Sequence, residues 1–274
     1  MINEQENQLQ ILFEDNHIIV VLKQRNVPSQ ADNTGDKDML TIVKEHIKVA
    51  EQKPGNVYAA LVHRLDRPTG GIMVFAKTSK AAARLSEQLA TNQIEKKYLA
   101  IVTGEVRQQF AQLTHYLVKD TKNNIVKAHT AMVADSKKAM LEYKLLEVKK
   151  AVSYETSEEE EAEESKGIDL SSLVKPHGAV TPLSLVDVTL ITGRSHQIRS
   201  QFTAIGHPLY ADHKYNKQSN IPGYGKPLAL WAYHLRFVHP VKEEILHFKA
   251  FPPENETYWN SFNIEKYINV SKPN

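Results

Sequence analysis

The sequence predicts an α+β protein built on a mixed, largely antiparallel β-sheet with flanking helices and loops. Short apolar segments outnumber helical patterns, and several are neighbours across turn residues, which is typical of antiparallel hairpins. The helical repeats are interspersed among these segments, which disfavours a doubly wound parallel sheet. The chain has 274 residues. We expect one domain over 1–274, with a core at about 10–252.

Each element follows from a local pattern. Apolar runs on either side of Glu14-Asp15-Asn16 predict two strands and a turn, and a 3.6-residue apolar spacing predicts the first helix. The predicted strands are 10–13, 17–22, 72–77, 97–102, 113–118, 125–129, 139–148, 183–191 and the later segments 228–237 and 244–251. The predicted helices are 37–50, a segment capped by Thr78 or Ser79, Arg194–Ile205 ended by Gly206, and Glu256–Ile268.

Composition excludes several classes of protein. The chain has no cysteine, which excludes disulfides, thiolate zinc sites, iron–sulfur clusters and a cysteine nucleophile. This fits a reducing compartment, and we expect a cytoplasmic protein. The first ten residues contain no apolar core, so we expect no signal peptide. The longest aliphatic run, Ile18–Leu22, is too short to cross a bilayer, so we expect no membrane association.

The net charge of +2 conceals a local asymmetry. Seven glutamates lie within 155–164, and outside that segment 34 basic residues face 25 acidic ones. A positive body is compatible with a polyanionic partner such as nucleic acid, although the excess is mild. We interpret 152–180 as an acidic loop inserted between two strands.

The densest group of chemically active side chains is the segment 61–71. Asp66 has Arg64 and Arg67 within three residues, and neighbouring cations favour an ionised carboxylate. Gly70-Gly71 would allow another backbone or a ligand to approach closely. Such a carboxylate can serve as a nucleophile or a base, or it can form a structural salt-bridged turn. The spacing alone leaves these alternatives open.

A second dense group is the segment 192–200. A glycine before a predicted helix start exposes backbone N–H groups that could bind an anion. His196 and Arg199 are three residues apart, so we expect them on one helical face. Arg199 could bind a carboxylate or a phosphate through its planar fork, or it could be a solvated surface residue.

Other site classes find little support. The chain has no HExxH, no GxxxxGK[ST], no GxGxxG and no GxSxG motif. The twelve histidines have no strong metal-ligand spacing. We therefore expect no metal site and no nucleotide cofactor.

Four segments together resemble one enzyme family. His63–Thr69 (HRLDRPT) is similar to the HRLDxxTSG signature of the RluA-type pseudouridine synthases, and 97–100 (KYLA) resembles the family's tyrosine strand. The segments 192–199 (TGRSHQIR) with 206–212 (GHPLYAD), and 230–240 (LWAYHLRFVHP), resemble the later motifs in the family's order. The resemblance covers roughly 10–252. It implies a pseudouridine synthase catalytic fold with a central RNA-binding cleft.

The resemblance implies the isomerisation of uridine to pseudouridine in structured RNA, either rRNA or tRNA. Asp66 would be the catalytic carboxylate, attacking C1′, attacking C6 or removing the C2′ proton of a flipped-out uridine. Tyr98 would border the uracil and take part in deprotonation of C5, and Arg199 would pair with Asp66. Neither a metal nor another cofactor is implied, and we expect a monomer.

The resemblance also implies residues that contact RNA. Phosphate contacts would position the RNA without reading much sequence. We expect substrate or RNA contacts from His63, Arg64, Arg67, Thr69, Arg194, His196, Gln197 and Leu230. The acidic loop should avoid the RNA, and no separate N-terminal RNA-binding domain is expected.

The sequence departs from the family pattern at four places. Gly70 replaces the usual serine, and Gln24-Arg25-Asn26 replaces a proline- and glycine-containing segment. Ala211 stands in place of a glycine and Trp231 in place of a histidine. None of these changes touches Asp66, so they bear on substrate choice more than on the reaction.

Two alternative functions are weaker. A non-catalytic RNA-binding protein on the same scaffold would gain nothing from a carboxylate that repels phosphates. A glycoside hydrolase usually needs two carboxylates, and the sequence singles out only Asp66.

Overall fold

The computed structural model describes residues 9–149, 181–216 and 225–268. The predicted acidic loop 152–180 lies outside them. Two compact units emerge within this part of the chain. Unit 1 comprises 9–97 and 232–251, and unit 2 comprises 98–149, 181–216, 225–231 and 252–268.

Eleven strands and four helices occur in the described ranges. The strands are β1 Gln10–Glu14, β2 Ile18–Lys23, β3 Ala60–Leu61, β4 Gly70–Ala76, β5 Glu95–Thr103, β6 Phe110–Asp120, β7 Ile125–His129, β8 Lys137–Lys149, β9 Leu183–Leu190, β10 Leu230–Val238 and β11 Ile245–Lys249. The helices are α1 Met39–Ala50, α2 Ser79–Ala90, α3 Gln197–Ala204 and α4 Ile264–Tyr267. Strands β5 and β10 continue from one unit into the other. Strands dominate, which confirms the predicted α+β class.

In unit 1 the strand order is β1-β2-β4-β10, with β3 beside β4 and β11 beside β10. The pairings with defined register, including β1–β2, β2–β4 and β10–β11, are antiparallel. One face of these strands packs on α2 through Leu85, with Val74, Leu235 and Phe237 in the same apolar cluster. Thr78 caps α2 by accepting the N–H of Ala81, which confirms the predicted helix start.

In unit 2 the order is β5-β9-β8-β6-β7. The hairpin of β6 and β7 turns at 121–124, as predicted, and its pairing with β8 is antiparallel. Helix α3 packs against this sheet, with the Phe202 ring 5.4 Å from that of Tyr143 on β8. The sheet therefore supports the helix that carries Arg199.

Two predicted helices were wrong in extent. The helix expected at Arg194–Ile205 begins only at Gln197, because His196 takes the left-handed conformation with φ of 50°. The helix expected at Glu256–Ile268 is reduced to four residues, Ile264–Tyr267. Upstream of it the Glu256 carboxylate accepts hydrogen bonds from the side chains of Tyr258 and Trp259, which holds the segment in turns.

Among the described residues, no helix is both long and apolar enough to cross a lipid bilayer.

Candidate active site

Asp66 lies in unit 1, on the loop that joins β3 to β4. Its residue is partly exposed, whereas Leu65 before it and Thr69 after it are buried. The apolar side chains of Val62 and Leu65 point into the unit and anchor the loop. The Asp66 carboxylate therefore lies on a loop that is anchored by buried apolar side chains.

Hydrogen bonds fix the backbone on both sides of Asp66. Five consecutive carbonyls, from residue 65 to residue 69, each accept at least one. The carbonyls and their donors are Leu65 with Ser29 Oγ (2.7 Å), Asp66 with the Thr69 N–H (2.9 Å), Arg67 with Lys23 Nζ (3.1 Å) and the Asn26 N–H (2.8 Å), Pro68 with Arg25 Nη1 (3.0 Å), and Thr69 with Lys23 Nζ (2.7 Å). Each accepted bond removes conformational freedom from the loop, so Asp66 is held in one place.

Lys23 is the most unusual of these donors. It is fully buried at the end of β2, and its ammonium also donates to the Gln24 carbonyl at 3.0 Å. Burial lowers the pKa of Lys23 to about 7, and the nearby Arg25 charge adds to the effect. The Asp66 carboxylate acts in the opposite sense. The buried Lys23 amino group therefore lies within electrostatic reach of Asp66.

Ser29 both donates a hydrogen bond to the loop and accepts one from it. Its hydroxyl donates to the Leu65 carbonyl at 2.7 Å and accepts the Leu65 N–H at 3.1 Å. Both groups are buried. A buried backbone group without a partner is costly, so this single side chain stabilises the residue before Asp66.

His63, expected to contact RNA, is enclosed beside β4. Its ring is buried, and Nε2 accepts the Val74 N–H of β4 at 3.2 Å. Burial, with the Lys96 charge, lowers the pKa of His63 to about 3. A neutral, enclosed imidazole of this kind cannot attract a phosphate; it ties the loop to the strand.

The remaining predicted residues of this loop differ in availability. Arg64 is exposed. The Arg67 guanidinium bonds Thr34 Oγ1 at 2.8 Å and pairs with Asp36 and, at 3.6 Å, with Asp32, so its charge is offset. Thr69 is 1% exposed. Of the expected RNA contacts here, Arg64 is available, Arg67 is engaged by carboxylates, and Thr69 is enclosed.

Gly71 is one of the two glycines that we expected to allow a close approach, and a side chain would not fit at this position. A Cβ at this position would lie 2.3 Å from the Ala232 carbonyl oxygen of β10, and φ is +128°. Only glycine fits both the conformation and the contact. The close approach predicted for Gly70-Gly71 is therefore that of a neighbouring backbone.

In unit 2, Arg199 forms a buried two-point ion pair with Asp212. Nε donates to Oδ2 at 2.8 Å and Nη2 donates to Oδ1 at 2.7 Å, with side-chain exposures of 6% and 0%. This planar fork is the strongest geometry available to an arginine–carboxylate pair. Asp212 fixes the guanidinium that we predicted to be catalytic.

His196 and Arg199 do not share a helical face, because His196 precedes α3. Tyr215 brings them together instead. Its hydroxyl is 2.7 Å from Nδ1 of His196, and the guanidinium carbon of Arg199 lies 5.0 Å from its ring centroid. His196 is 8% exposed, so it too is enclosed, and its expected RNA contact stays a prediction.

Gln197 organises the loop before α3. Its side-chain oxygen accepts the Thr192 hydroxyl at 2.8 Å and the Arg194 N–H at 2.9 Å, and its amide donates to the Met140 carbonyl at 3.0 Å. The side chain is committed within unit 2, and the Arg194 N–H is already used. This is a correction to the expected anion site, whereas the expected RNA contact of Gln197 stays a prediction. Arg194 itself is exposed.

Tyr98 and Leu230 lie in buried parts of unit 2. Tyr98, on β5, is 6% exposed, and Leu230, the first residue of β10, is 4% exposed. Both positions were predicted to border the uracil.

The comparisons with known proteins identify the family. A family model described as RNA pseudouridylate synthase matches residues 17–204. The chain belongs to this family. An uncharacterised RNA pseudouridine synthase of Aquifex aeolicus is 30% identical over 258 residues, covering 90% of this chain and 70% of that protein. The chain is accordingly an RNA pseudouridine synthase of the RluA type.

Two relatives that are named for the large ribosomal subunit have a comparable sequence identity to this chain. A ribosomal large subunit pseudouridine synthase D of Nitrosomonas europaea is 28% identical, covering 92% of this chain and 66% of that protein. A ribosomal large subunit pseudouridine synthase C of Haemophilus influenzae is 31% identical, with 88% and 64% covered.

Solved structures support the fold. Human RNA pseudouridylate synthase domain containing 1 aligns with a TM-score of 0.65 and 21% identity, covering 92% of this chain and 87% of that one. Human RNA pseudouridylate synthase domain containing 4 gives the same TM-score at 20% identity, covering 91% and 90%. These likenesses confirm the predicted fold.

The structure shows the surroundings of three residues at which this pseudouridine synthase departs from the family pattern. Arg25 supplies the hydrogen bond to the Pro68 carbonyl. Ala211 keeps a left-handed φ of 60°, a conformation that suits the glycine it replaces. Trp231 is fully buried.

The sequence analysis did not single out Ser29, Lys23 or Tyr215, which hold the loops of the candidate site, and it included Asp212 only as the end of a motif. Asp212 could have been found, because it ends the GHPLYAD segment. Ser29 and Tyr215 carried no local signal, since their partners lie 36 and 19 residues away.

Proposed function

We propose that this enzyme converts uridine to pseudouridine in ribosomal RNA, with Asp66 as the carboxylate that acts on the nucleoside. The observation that carries the proposal is the row of five hydrogen-bonded carbonyls around a partly exposed Asp66. Such preorganisation is what a catalytic carboxylate requires, because no reorganisation is then needed during the reaction.

The reaction is an isomerisation with a simple balance. The N1–C1′ bond of uridine breaks, the uracil turns, and C5 bonds to C1′. The proton on C5 leaves, and N1 ends protonated, so no atom is gained or lost. A carboxylate at the sugar and a group that takes the C5 proton are sufficient in principle.

We assign Tyr98 and Arg199 to the same reaction. Tyr98 would border the uracil and assist removal of the C5 proton. Arg199 would supply the positive charge that keeps a carboxylate ionised, and its pairing with Asp212 supports a fixed guanidinium. Leu230 would cover the base.

The uridine must leave its stack to reach an enclosed side chain, which requires RNA contacts that hold the strand. Arg64 and Arg194 are the exposed candidates from the predicted set. Their contacts would be with phosphates, and binding would weaken as the salt concentration rises.

Ribosomal RNA is proposed as the substrate because several relatives are named for the large ribosomal subunit. The test is a chemical map of pseudouridine in total RNA from cells with and without the gene. Positions in large-subunit RNA should lose the modification and regain it with the wild-type gene, but not with Asp66→Ala. Loss confined to transfer RNA would refute the choice of substrate, and full restoration by Asp66→Ala would refute the role of Asp66.

A further inference from the structure

We propose that Tyr215 is a positioning residue for Arg199, and that it links this arginine to the β6–β7 hairpin. The inference rests on the proposed role of Arg199 in the reaction. Tyr215 belongs to none of the segments that resemble the family motifs.

Two separate contacts hold the Arg199 guanidinium. Asp212 engages one edge through Nε and Nη2. The Tyr215 ring lies against the group at 5.0 Å from the guanidinium carbon to the ring centroid. An edge contact alone allows the plane to tilt about the axis of the fork, whereas an aromatic ring against the guanidinium restricts that tilt.

The Tyr215 ring is itself fixed from three directions. Its backbone N–H donates to Asp212 Oδ1 at 3.2 Å, the same oxygen that accepts Nη2 of Arg199. Its hydroxyl shares a hydrogen bond of 2.7 Å with His196 Nδ1. The His196 ring also meets the tyrosine ring edge-on, at 90° and 5.6 Å between centroids. His196 and the Arg199–Asp212 ion pair therefore both contact Tyr215.

A fourth contact of Tyr215 reaches the hairpin. The Val126 N–H of β7 donates to the Tyr215 hydroxyl at 2.9 Å, and both residues are buried. A buried N–H requires a partner, so this bond fixes the hairpin relative to Tyr215. A displacement of β7 would therefore be transmitted to the ring that holds Arg199.

Tyr215→Phe and Tyr215→Leu test the two parts of this arrangement. The first removes only the hydroxyl, and the second removes the ring that faces Arg199. Tyr143→Phe is the matched control, because Tyr143 also packs on α3 through its ring, against Phe202. Turnover is measured as tritium released from [5-³H]uridine in total RNA from cells that lack the gene, since the C5 hydrogen is lost in the reaction.

We expect Tyr215→Phe to lower kcat about tenfold, because the hydroxyl loses its hydrogen bonds with both the Val126 N–H and His196 Nδ1. Tyr215→Leu should lower it about a hundredfold, because the aromatic contact is lost as well. KM should stay within about twofold, because Arg199 and not an RNA contact is displaced. The thermal midpoint should fall, since the buried Val126 N–H loses its partner. We therefore compare kcat where each variant is fully folded, because a merely structural role would reduce folded protein and not kcat of the folded fraction. Tyr143→Phe should match the wild type.

Wild-type kcat in both Tyr215 variants would overturn the inference, and so would a decrease that follows only the fraction of folded protein. If Tyr215→Leu does not fold, Tyr215→Phe alone decides. Asp66→Asn separates the two proposals. If it is inactive while both Tyr215 variants are fully active, only the role of Tyr215 fails. If it retains full activity, the proposed site fails, and the role of Tyr215 in it fails too.

Discussion

Arg199 and Asp212 form a buried two-point ion pair, with both donor–acceptor distances below 2.9 Å. Removing either side chain would destabilise the protein, because the remaining charge would stay buried inside unit 2 without its partner. The pair therefore gives Arg199 a role in stability, which can be measured separately from its proposed role in the reaction.

Arg199→Met should destabilise the protein by about 3–5 kcal/mol, the usual cost of leaving one member of a buried ion pair unpaired. Urea unfolding of the two proteins measures this difference. Arg194→Met, at an exposed position five residues earlier, is the control and should change stability by less than about 0.5 kcal/mol. Equal stability of Arg199→Met and the wild type would show that the pair contributes nothing.

Ser29→Ala should cost about 1–3 kcal/mol, because the buried N–H and carbonyl of Leu65 both lose their partner. Turnover should fall as well, since the loop that carries Asp66 becomes less constrained. Ser86→Ala, on the exposed side of α2, is the control. Unchanged turnover in Ser29→Ala at a temperature where it is fully folded would argue against preorganisation of the loop.

Gly71→Ala should destabilise the protein by about 3 kcal/mol, because the methyl group would overlap the Ala232 backbone and φ is +128°. Gly55→Ala is the matched control, since a Cβ there meets nothing within 4 Å. Thermal unfolding distinguishes them, and similar midpoints for both variants would contradict the close packing of β4 on β10.

His63 should make the folded protein sensitive to acid. Its pKa is lowered from 6.5 to about 3 by burial, so between these values the unfolded chain binds a proton that the folded chain does not. Stability from this group is complete above pH 6.5 and is lost as pH falls toward 3. His63→Gln should therefore show a shallower decline of unfolding free energy between pH 6 and pH 4, by about 1.4 kcal/mol per pH unit at most. Parallel declines would mean that the ring is protonated in the folded protein.

Arg64→Gln and Arg194→Gln should each weaken RNA binding at low salt and reduce the slope of log affinity against log salt by about one. Folding should be unaffected, because both side chains are exposed. Filter binding at several salt concentrations measures the slope. Lys48→Gln, on the outer side of α1, should leave it unchanged, and an effect as large as that of the arginines would remove the special role of these two positions.

The strand pattern and both long helices of unit 1 were predictable, because period-2 and period-3.6 apolar spacing are local properties. The position of Asp66 on a loop before a buried strand was also predictable, since charged residues crowd a segment that leads into an apolar run. The enclosed positions of His63, Thr69 and Gln197 were not predictable. A polar side chain in a motif has the same letter whether it faces RNA or the interior, and only the fold shows that these three are enclosed.

The supporting residues were harder to predict for the same reason. Lys23 contacts carbonyls 44 and 46 residues away, and Tyr215 contacts an N–H 89 residues away. The start of α3 was misplaced because the sequence gives no sign that His196 adopts a left-handed backbone. Such contacts depend on tertiary structure, which no local pattern encodes.

We propose that Asp66, on a loop fixed by hydrogen bonds, performs the isomerisation. The most direct test compares tritium release from [5-³H]uridine in unmodified large-subunit ribosomal RNA by the wild type and by Asp66→Asn, which keeps the size of the side chain and removes its charge. We predict that the variant binds the RNA with unchanged affinity and loses at least about a thousandfold in rate, equivalent to roughly 4 kcal/mol of barrier. Turnover by Asp66→Asn within about tenfold of the wild type would contradict the account.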